Sequence, residues 1–238
     1  MSTTRLTQLN QAMSNMRNTD QAANLSRFFK TGPGQYGEGD QFYGINVPET
    51  RKLVQQFKDL TLTEVSELLH APIHEKRLLG LLIWVDQYRK GDALSRQQIF
   101  EAYIHNLDCV NNWDLVDSSA FQIVGAHLFG KPHDLLLKWA HSPNIWHRRI
   151  AVIATFYDIK YRHFDRTLQI AKILVHDPHD LIQKAVGWML REIGNRDFST
   201  ETQFLDQHAS HMPRTMLRYA IEKFPEPLRQ SYLKGKNT

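Results

Sequence analysis

Apolar residues recur along this chain at spacings of three and four far more often than at two, and Gly or Pro punctuates the segments. That period predicts an almost wholly helical, all-α fold. Helices are expected over 4–17, 20–30, 48–58, 63–70, 75–89, 95–106, 112–128, 132–141, 144–158, 165–176, 179–194, 199–210, 213–224 and 226–234. Pro48, Pro132 and Pro213 suit the first turn of a helix, where the missing N–H has no intrahelical partner, and Gly130 and Gly194 suit reversals at or after helix ends. The one long irregular stretch, TGPGQYGEGDQFYGINV over 31–47, carries closely spaced glycines but lacks the Gly-Lys-Ser/Thr ending of a phosphate-binding loop. It is read as an ordered surface loop.

Repetition refines this picture. Helix starts at HEKRLLGLLIW (74), NNWDLVDSSAFQIV (111), IWHRRIAVIATF (145), LIQKAVGWMLRE (181) and RTMLRYAIEKF (214) recur every 35 residues or so, with shorter helices between them. Arg77, Trp113, Arg149, Lys184 and Arg218 follow one another at intervals of 36, 36, 35 and 34 residues. Such a period is the signature of stacked helical hairpins, each contacting only its neighbours. The expectation is an α-solenoid of about six HEAT-like hairpins forming one curved domain over residues 1–238, with the repeated basic and aromatic positions aligned on its concave side.

Composition then narrows the partners. The longest apolar run, Leu78 to Val85, is about half of what a membrane span needs. The N-terminus MSTTRLTQLNQAMSN has no secretory apolar region. Cys109 is the single cysteine, which excludes an internal disulfide and a cysteine-based zinc site and points to a cytoplasmic protein. The net charge of +4 is unevenly placed: residues 1–137 carry −2 and residues 138–238 carry +6. A basic C-terminal part fits a polyanionic partner or, equally, a solvated face.

Four side chains stand out when helical and repeat periods are combined. Trp113 and Asp117 are four apart and share one helical face. Arg149 lies one repeat beyond Trp113, and Trp188 one repeat plus a helical turn beyond Arg149. Taken singly each has a plain explanation: core packing for a Trp, compensation of the helix dipole for an Asp, a solvated charge for an Arg. Together, WDLVD (113–117), NIWHRR (144–149) and QKAVGWMLRE (183–192), with GINVPETRKL at 44–53, closely resemble the corresponding segments of the AlkD-type DNA alkylation-repair glycosylases. The resemblance covers most of the chain. It implies an α-solenoid of HEAT-like repeats with a catalytic cleft formed by Trp113, Asp117 and Trp188, to which Arg149 belongs. Two departures are visible: segment 31–43 is longer than in some members, and an aromatic position near the second helix, often Tyr, is Phe28 here.

The implied reaction is chemically sensible. Breaking an N-glycosidic bond develops oxocarbenium character on the sugar, and glycosidases commonly use two carboxylates, one of them to protonate the leaving group. Only one is evident here. It suffices when the leaving base is already cationic, as in N3- or N7-alkylated purines, which depart neutral. Asp117 would then stabilise the sugar cation and orient or deprotonate a water, and Trp113 and Trp188 would offer π-faces worth on the order of 0.5–2 kcal/mol to a cation. Arg149 would hold a flanking phosphate. Arg148, Lys184, Arg191, Arg214 and Arg51 are further candidates for phosphate contacts, each of which reads equally well as a solvated charge. No lysine stands beside Asp117, so a monofunctional glycosylase without strand cleavage is expected. The resemblance also implies lesion recognition through the DNA backbone, without inserting the base into a deep pocket.

Other features carry less. HDPHD at 176–180 reads as a helix stop and a new N-cap, so no metal is expected, and no cofactor. Cys109 reads as a buried thiol, and Trp84, Trp139 and Trp146 as hairpin core. The expected partner is duplex DNA with alkylated bases, bound by a monomer in the cytoplasm and associated with the nucleoid when on DNA. Two alternatives stay open on sequence: a DNA-structure binder without catalysis, and a protein-interaction solenoid.

Overall fold

The computed structural model describes residues 4–132 and 134–235, so His133, inside one expected helix, lies outside the described residues. The described residues contain helices, turns and one isolated bridge, Gln41 to Ile73, with no named strand. No helix among them is long and apolar enough to cross a membrane. The chain packs as two compact units that divide after Ser119.

The first unit holds α1 (Arg5–Asn15), α2 (Thr19–Phe28), α3 (Val47–Phe57), α4 (Leu62–Leu69), α5 (His74–Lys90), α6 (Ala93–His105) and most of α7 (Trp113–Ala120). Asn46 with Glu49, and Thr61 with Glu64, form capping boxes that start α3 and α4 by satisfying backbone N–H groups otherwise left open. The central helix is α5, packed by α3, α4 and α6. Leu79, Leu81, Ile83 and Trp84, which point out on more than one side of it, are fully buried. Gly80 lets it approach α4, where an added Cβ would lie 3.1 Å from a Leu69 methyl. The Tyr103 hydroxyl and Ser119 Oγ, 3.1 Å apart, join α6 to α7.

Segment 31–47 is an ordered loop, begun by a bond from Thr31 N–H to the Ser26 carbonyl (3.2 Å) and held further along at Gln41 and Tyr43. Gln41 N–H donates to the Pro72 carbonyl (3.1 Å) and the Gln41 carbonyl accepts from His74 N–H (2.8 Å), while the Tyr43 carbonyl accepts from Asn18 N–H (2.8 Å). Gly44 sits at φ +82°, and a Cβ there would overlap the Asn18 carbonyl, so glycine is required on both counts.

The second unit holds α8 (Ala126–Leu128), α9 (Asp134–Ala140), α10 (Ile145–Ala154), α11 (Phe156–Lys160), α12 (Asp165–Leu174), α13 (Asp180–Gly194), α14 (Phe198–His208), α15 (Arg214–Ala220) and α16 (Glu226–Lys234). Pairs α9–α10 and α12–α13 are the expected hairpins, while α14 packs on α13. The second helices pack in a row, α10 on α13 and α13 on α15, while α9 packs on α12. That is stacking of solenoid character. Where α13 crosses α15, Gly187 lies against the Met216 carbonyl with no room for a side chain.

Two expectations are corrected. The helix expected over 112–128 is interrupted by a π-helical turn, Phe121–Gly125, and Gly125 lies against the Ala154 carbonyl so closely that a Cβ would overlap it. The helix expected over 144–158 ends at Ala154 and restarts at Phe156. Gly194 closes α13 at the helix end where it was expected, and the space it leaves is filled by the Glu201 carboxylate. Trp84, Trp139 and Trp146 are buried as expected, at 0%, 5% and 8% exposure.

Candidate active site

Within the first unit, Trp113 opens α7 and Asp117 lies one turn further along it, both half-buried. The indole stacks on Phe29 (centroids 5.4 Å apart, planes at 22°) and meets Phe28 edge-on at 5.9 Å. Phe28 is 62% exposed, a large ring held in solvent beside the indole. Behind Phe29 lie Phe42, stacked at 5.3 Å, and the His74 ring at 4.7 Å.

His74 is the centre of a polar network. Its Nδ1 faces Asp40 Oδ2 at 3.0 Å and its Nε2 faces Asp114 Oδ2 at 2.8 Å. Asp40 also accepts from Arg77 and from Asn112 Nδ2 (3.0 Å). Burial by itself would push the imidazole's pKa down, but the hydrogen bonds to Asp114 and Asp40, with their charges, outweigh it and raise the value to about 9. Burial likewise pushes Asp40 up, and His74, Arg77 and Asn112 together carry it below the usual carboxylate range. Next to His74 on α5, the Glu75 carboxylate accepts from the N–H groups of Tyr43, Gly44 and Ile45, closing the loop onto α5.

Within the second unit, Trp188 on α13 is half-buried and donates from Nε1 to Glu192 Oε1 at 3.2 Å. Its ring lies 6.2 Å from Phe156, which meets Phe121 edge-on at 5.2 Å. Arg196 pairs with Glu192 at 2.8 Å and sits 5.6 Å over the Phe156 ring. Arg149 departs from the expectation of a guanidinium at an open surface: it is 5% exposed and donates to the Leu181 carbonyl, tying α10 to the start of α13. Arg77, its counterpart in the repeat, is equally buried at 5%, on Asp40 and the Ala71 carbonyl. Both reach a main-chain carbonyl on another segment, Ala71 beyond the end of α4 and Leu181 in the first turn of α13, so both arginines fasten the frame.

The remaining cations differ in how they are engaged. Arg148 donates to Asp177 (2.7 Å) and to the Ser142 and Pro143 carbonyls (2.8 and 2.9 Å), with little of its side chain exposed. Lys184 pairs with Asp180 at 2.8 Å, Arg191 with Glu222, and Arg214 donates to the Leu233 carbonyl. Arg51 is exposed on α3. Exposed pairs such as Lys184–Asp180 are weak, whereas Arg148 is held by three partners with little of its side chain exposed. Cys109 is half-buried, and burial raises its thiol pKa. Sequence reasoning passed over His74, Asp40, Phe29 and Phe42. The available signal was a His-Glu-x-Arg cluster in the first turn of an otherwise apolar helix.

No curated protein matches the chain. Among solved structures, a predicted DNA alkylation repair enzyme from Enterococcus faecalis aligns over 89% of this chain and 98% of its own length, with a TM-score of 0.69 at 16% identity, which establishes the shared helical fold. The family model described as DNA alkylation repair enzyme matches residues 9–224, a span that takes in Trp113, Asp117, Arg149 and Trp188. The chain therefore belongs to the family of DNA alkylation repair enzymes.

Proposed function

We propose that this protein is a monofunctional DNA glycosylase that hydrolyses the N-glycosidic bond of cationic alkylated purines, of the 3-methyladenine and 7-methylguanine type, in duplex DNA. The observation that carries the reading is the pairing, on one face of α7, of a half-buried carboxylate with an indole that rests on a stack of aromatic rings. Asp117 stabilises the sugar as its bond to the base lengthens and directs a water to the anomeric carbon. Trp113 and Trp188 present π-faces to positive charge. A carboxylate alone can serve because the alkylated base leaves as a neutral molecule, so no second acid is needed to protonate it.

The sequence has no lysine between Lys90 and Lys131, which leaves no amine close along the chain to Asp117 to form a covalent adduct with the sugar, and strand cleavage is not expected. Arg51, Lys184, Arg191 and Arg214 supply phosphate contacts, and with them a steep dependence of affinity on salt. Arg148 and Arg149 act through the placement of α10. The test is release of methylated bases from alkylated duplex DNA by the wild-type protein beside Asp117→Asn. Wild-type release with a loss of about 10²-fold or more in the variant is expected for a group that stabilises the transition state. No release by the wild type, or full activity in Asp117→Asn, overturns the reading. Salt-sensitive binding to branched DNA without base release would favour a non-catalytic DNA binder instead.

A further inference from the structure

The residues on either side of Trp113 are bound to the two members of one buried pair, Asp40 and His74. Asn112 accepts the Trp113 backbone N–H on Oδ1 (2.8 Å) and gives its amide to Asp40 Oδ2 (3.0 Å). Asp114, on the other side, accepts from His74 Nε2 (2.8 Å), and the other nitrogen of that ring faces the same Asp40 oxygen (3.0 Å). His74 is 2% exposed, with a carboxylate at each nitrogen. A neutral imidazole would turn a lone pair toward one of them, so the ring is held as an imidazolium that donates twice.

Three separate parts of the first unit meet at this point: the glycine-rich loop brings Asp40, α5 brings His74 and Arg77, and α7 brings Asp114. Glu75, on the adjacent position of α5, is taken up by loop N–H groups. Two cations and two carboxylates thus share one enclosed place. The ring also touches the aromatic stack, lying 4.7 Å from Phe29, on which Trp113 rests, and 4.9 Å from Phe42. Apolar residues would fill such a space at lower desolvation cost. What a closed set of charged hydrogen bonds adds is direction, since each bond holds its donor and acceptor in one orientation.

We infer that His74, clamped between Asp40 and Asp114, is a positioning residue that fixes the first turn of α7, and through it the indole of Trp113. His74 touches no substrate. The glycine-rich loop is the other half of the device, because it delivers the carboxylate that holds the ring. This inference rests on the reading that Trp113 and Asp117 act in base release.

Its test is single-turnover base release by His74→Gln, which keeps polarity and approximate reach but has no charge and cannot bridge both carboxylates. The measurement is made in two backgrounds, wild type and Trp113→Ala, with melting temperature and affinity for undamaged duplex DNA recorded for each protein. Displacing a reacting group by an ångström costs up to about 10²-fold, so a loss of roughly 10- to 100-fold is expected in the wild-type background, with affinity for undamaged DNA nearly unchanged. In the Trp113→Ala background the same change should cost less than about threefold, because groups that act as a unit are not additive. A general loss of structure would lower both backgrounds alike and would weaken DNA binding. Should His74→Gln fail to fold, Asp40→Asn carries the same comparison from the loop side. Wild-type rates in a folded variant, or equal losses in both backgrounds, overturn the inference and leave the proposed function standing. An inactive wild type overturns the proposed function and the inference with it.

Discussion

Glu201 should make the protein lose stability steadily between mildly acidic and mildly alkaline pH. The side chain lies in the first turns of α14, 1% exposed, under Gly194, and its Oε1 is buried without a hydrogen-bond partner. Burial raises its pKa to about 8, and Arg191, the cation that opposes this, is paired with Glu222. In the unfolded chain the carboxyl titrates near 4.5, so between 4.5 and about 8 the unfolded state is ionised while the folded state keeps its proton. The contribution of the protonated group is complete below pH 4.5 and falls by about 1.4 kcal/mol per pH unit until it levels off near 8. Over the whole window this amounts to about 3–5 kcal/mol, a large part of the ~5–15 kcal/mol that holds a typical domain.

The check is urea unfolding of wild type and Glu201→Gln at pH 5, 6, 7 and 8. Gln has the same shape and cannot ionise, so the two proteins should be closest at pH 5. The variant should gain by about 1 kcal/mol with each further unit. Other titrating groups, His74 among them, are present in both proteins and cancel in the difference. Two stability curves that run parallel from pH 5 to 8 would refute the reasoning, since they would mean that the carboxylate ionises in the folded protein as freely as in water.

The same region supplies a second prediction: Gly194→Ala places a methyl on the Glu201 carboxylate and should destabilise by about 1–3 kcal/mol, whereas in a Glu201→Ala background it should cost under about 1, measured as a double-mutant cycle. His74 predicts an alkaline limb of its own. With a folded pKa of about 9 against 6.5 unfolded, its stabilisation is whole below 6.5 and is lost as pH rises through 9, about 3 kcal/mol in all. That limb should be missing from His74→Gln in the same unfolding series. Gly44→Ala should cost about 2–4 kcal/mol, since it strains a φ of +82° and drives a Cβ into the Asn18 carbonyl, and limited proteolysis should then cut within 31–47.

What could be read from the sequence was whatever depends on neighbours three, four or some thirty-five residues away. The helices fall close to their expected bounds, 48–58 as Val47–Phe57 and 179–194 as Asp180–Gly194, because apolar period and caps are local. The π-helical turn at Phe121–Gly125 escaped because Gly125 answers to the carbonyl of Ala154, which leaves no mark in the pattern around 121. Arg77 and Arg149 were misread as surface charges for a related reason. Their acceptors include the carbonyls of Ala71 and Leu181, and a carbonyl is the one group that every residue carries, so no side chain announces it. Trp113 and Asp117 were legible as a pair because one helix holds both. The loop residue Asp40 and the ring of His74 lie 34 residues apart, and His74 and Asp114 a further 40, so only the fold brings them to one place. Residues four apart on one helix leave a pattern in the sequence, whereas residues chosen by distance in space leave none, and it is this second kind that the buried imidazolium behind the Trp113 stack represents.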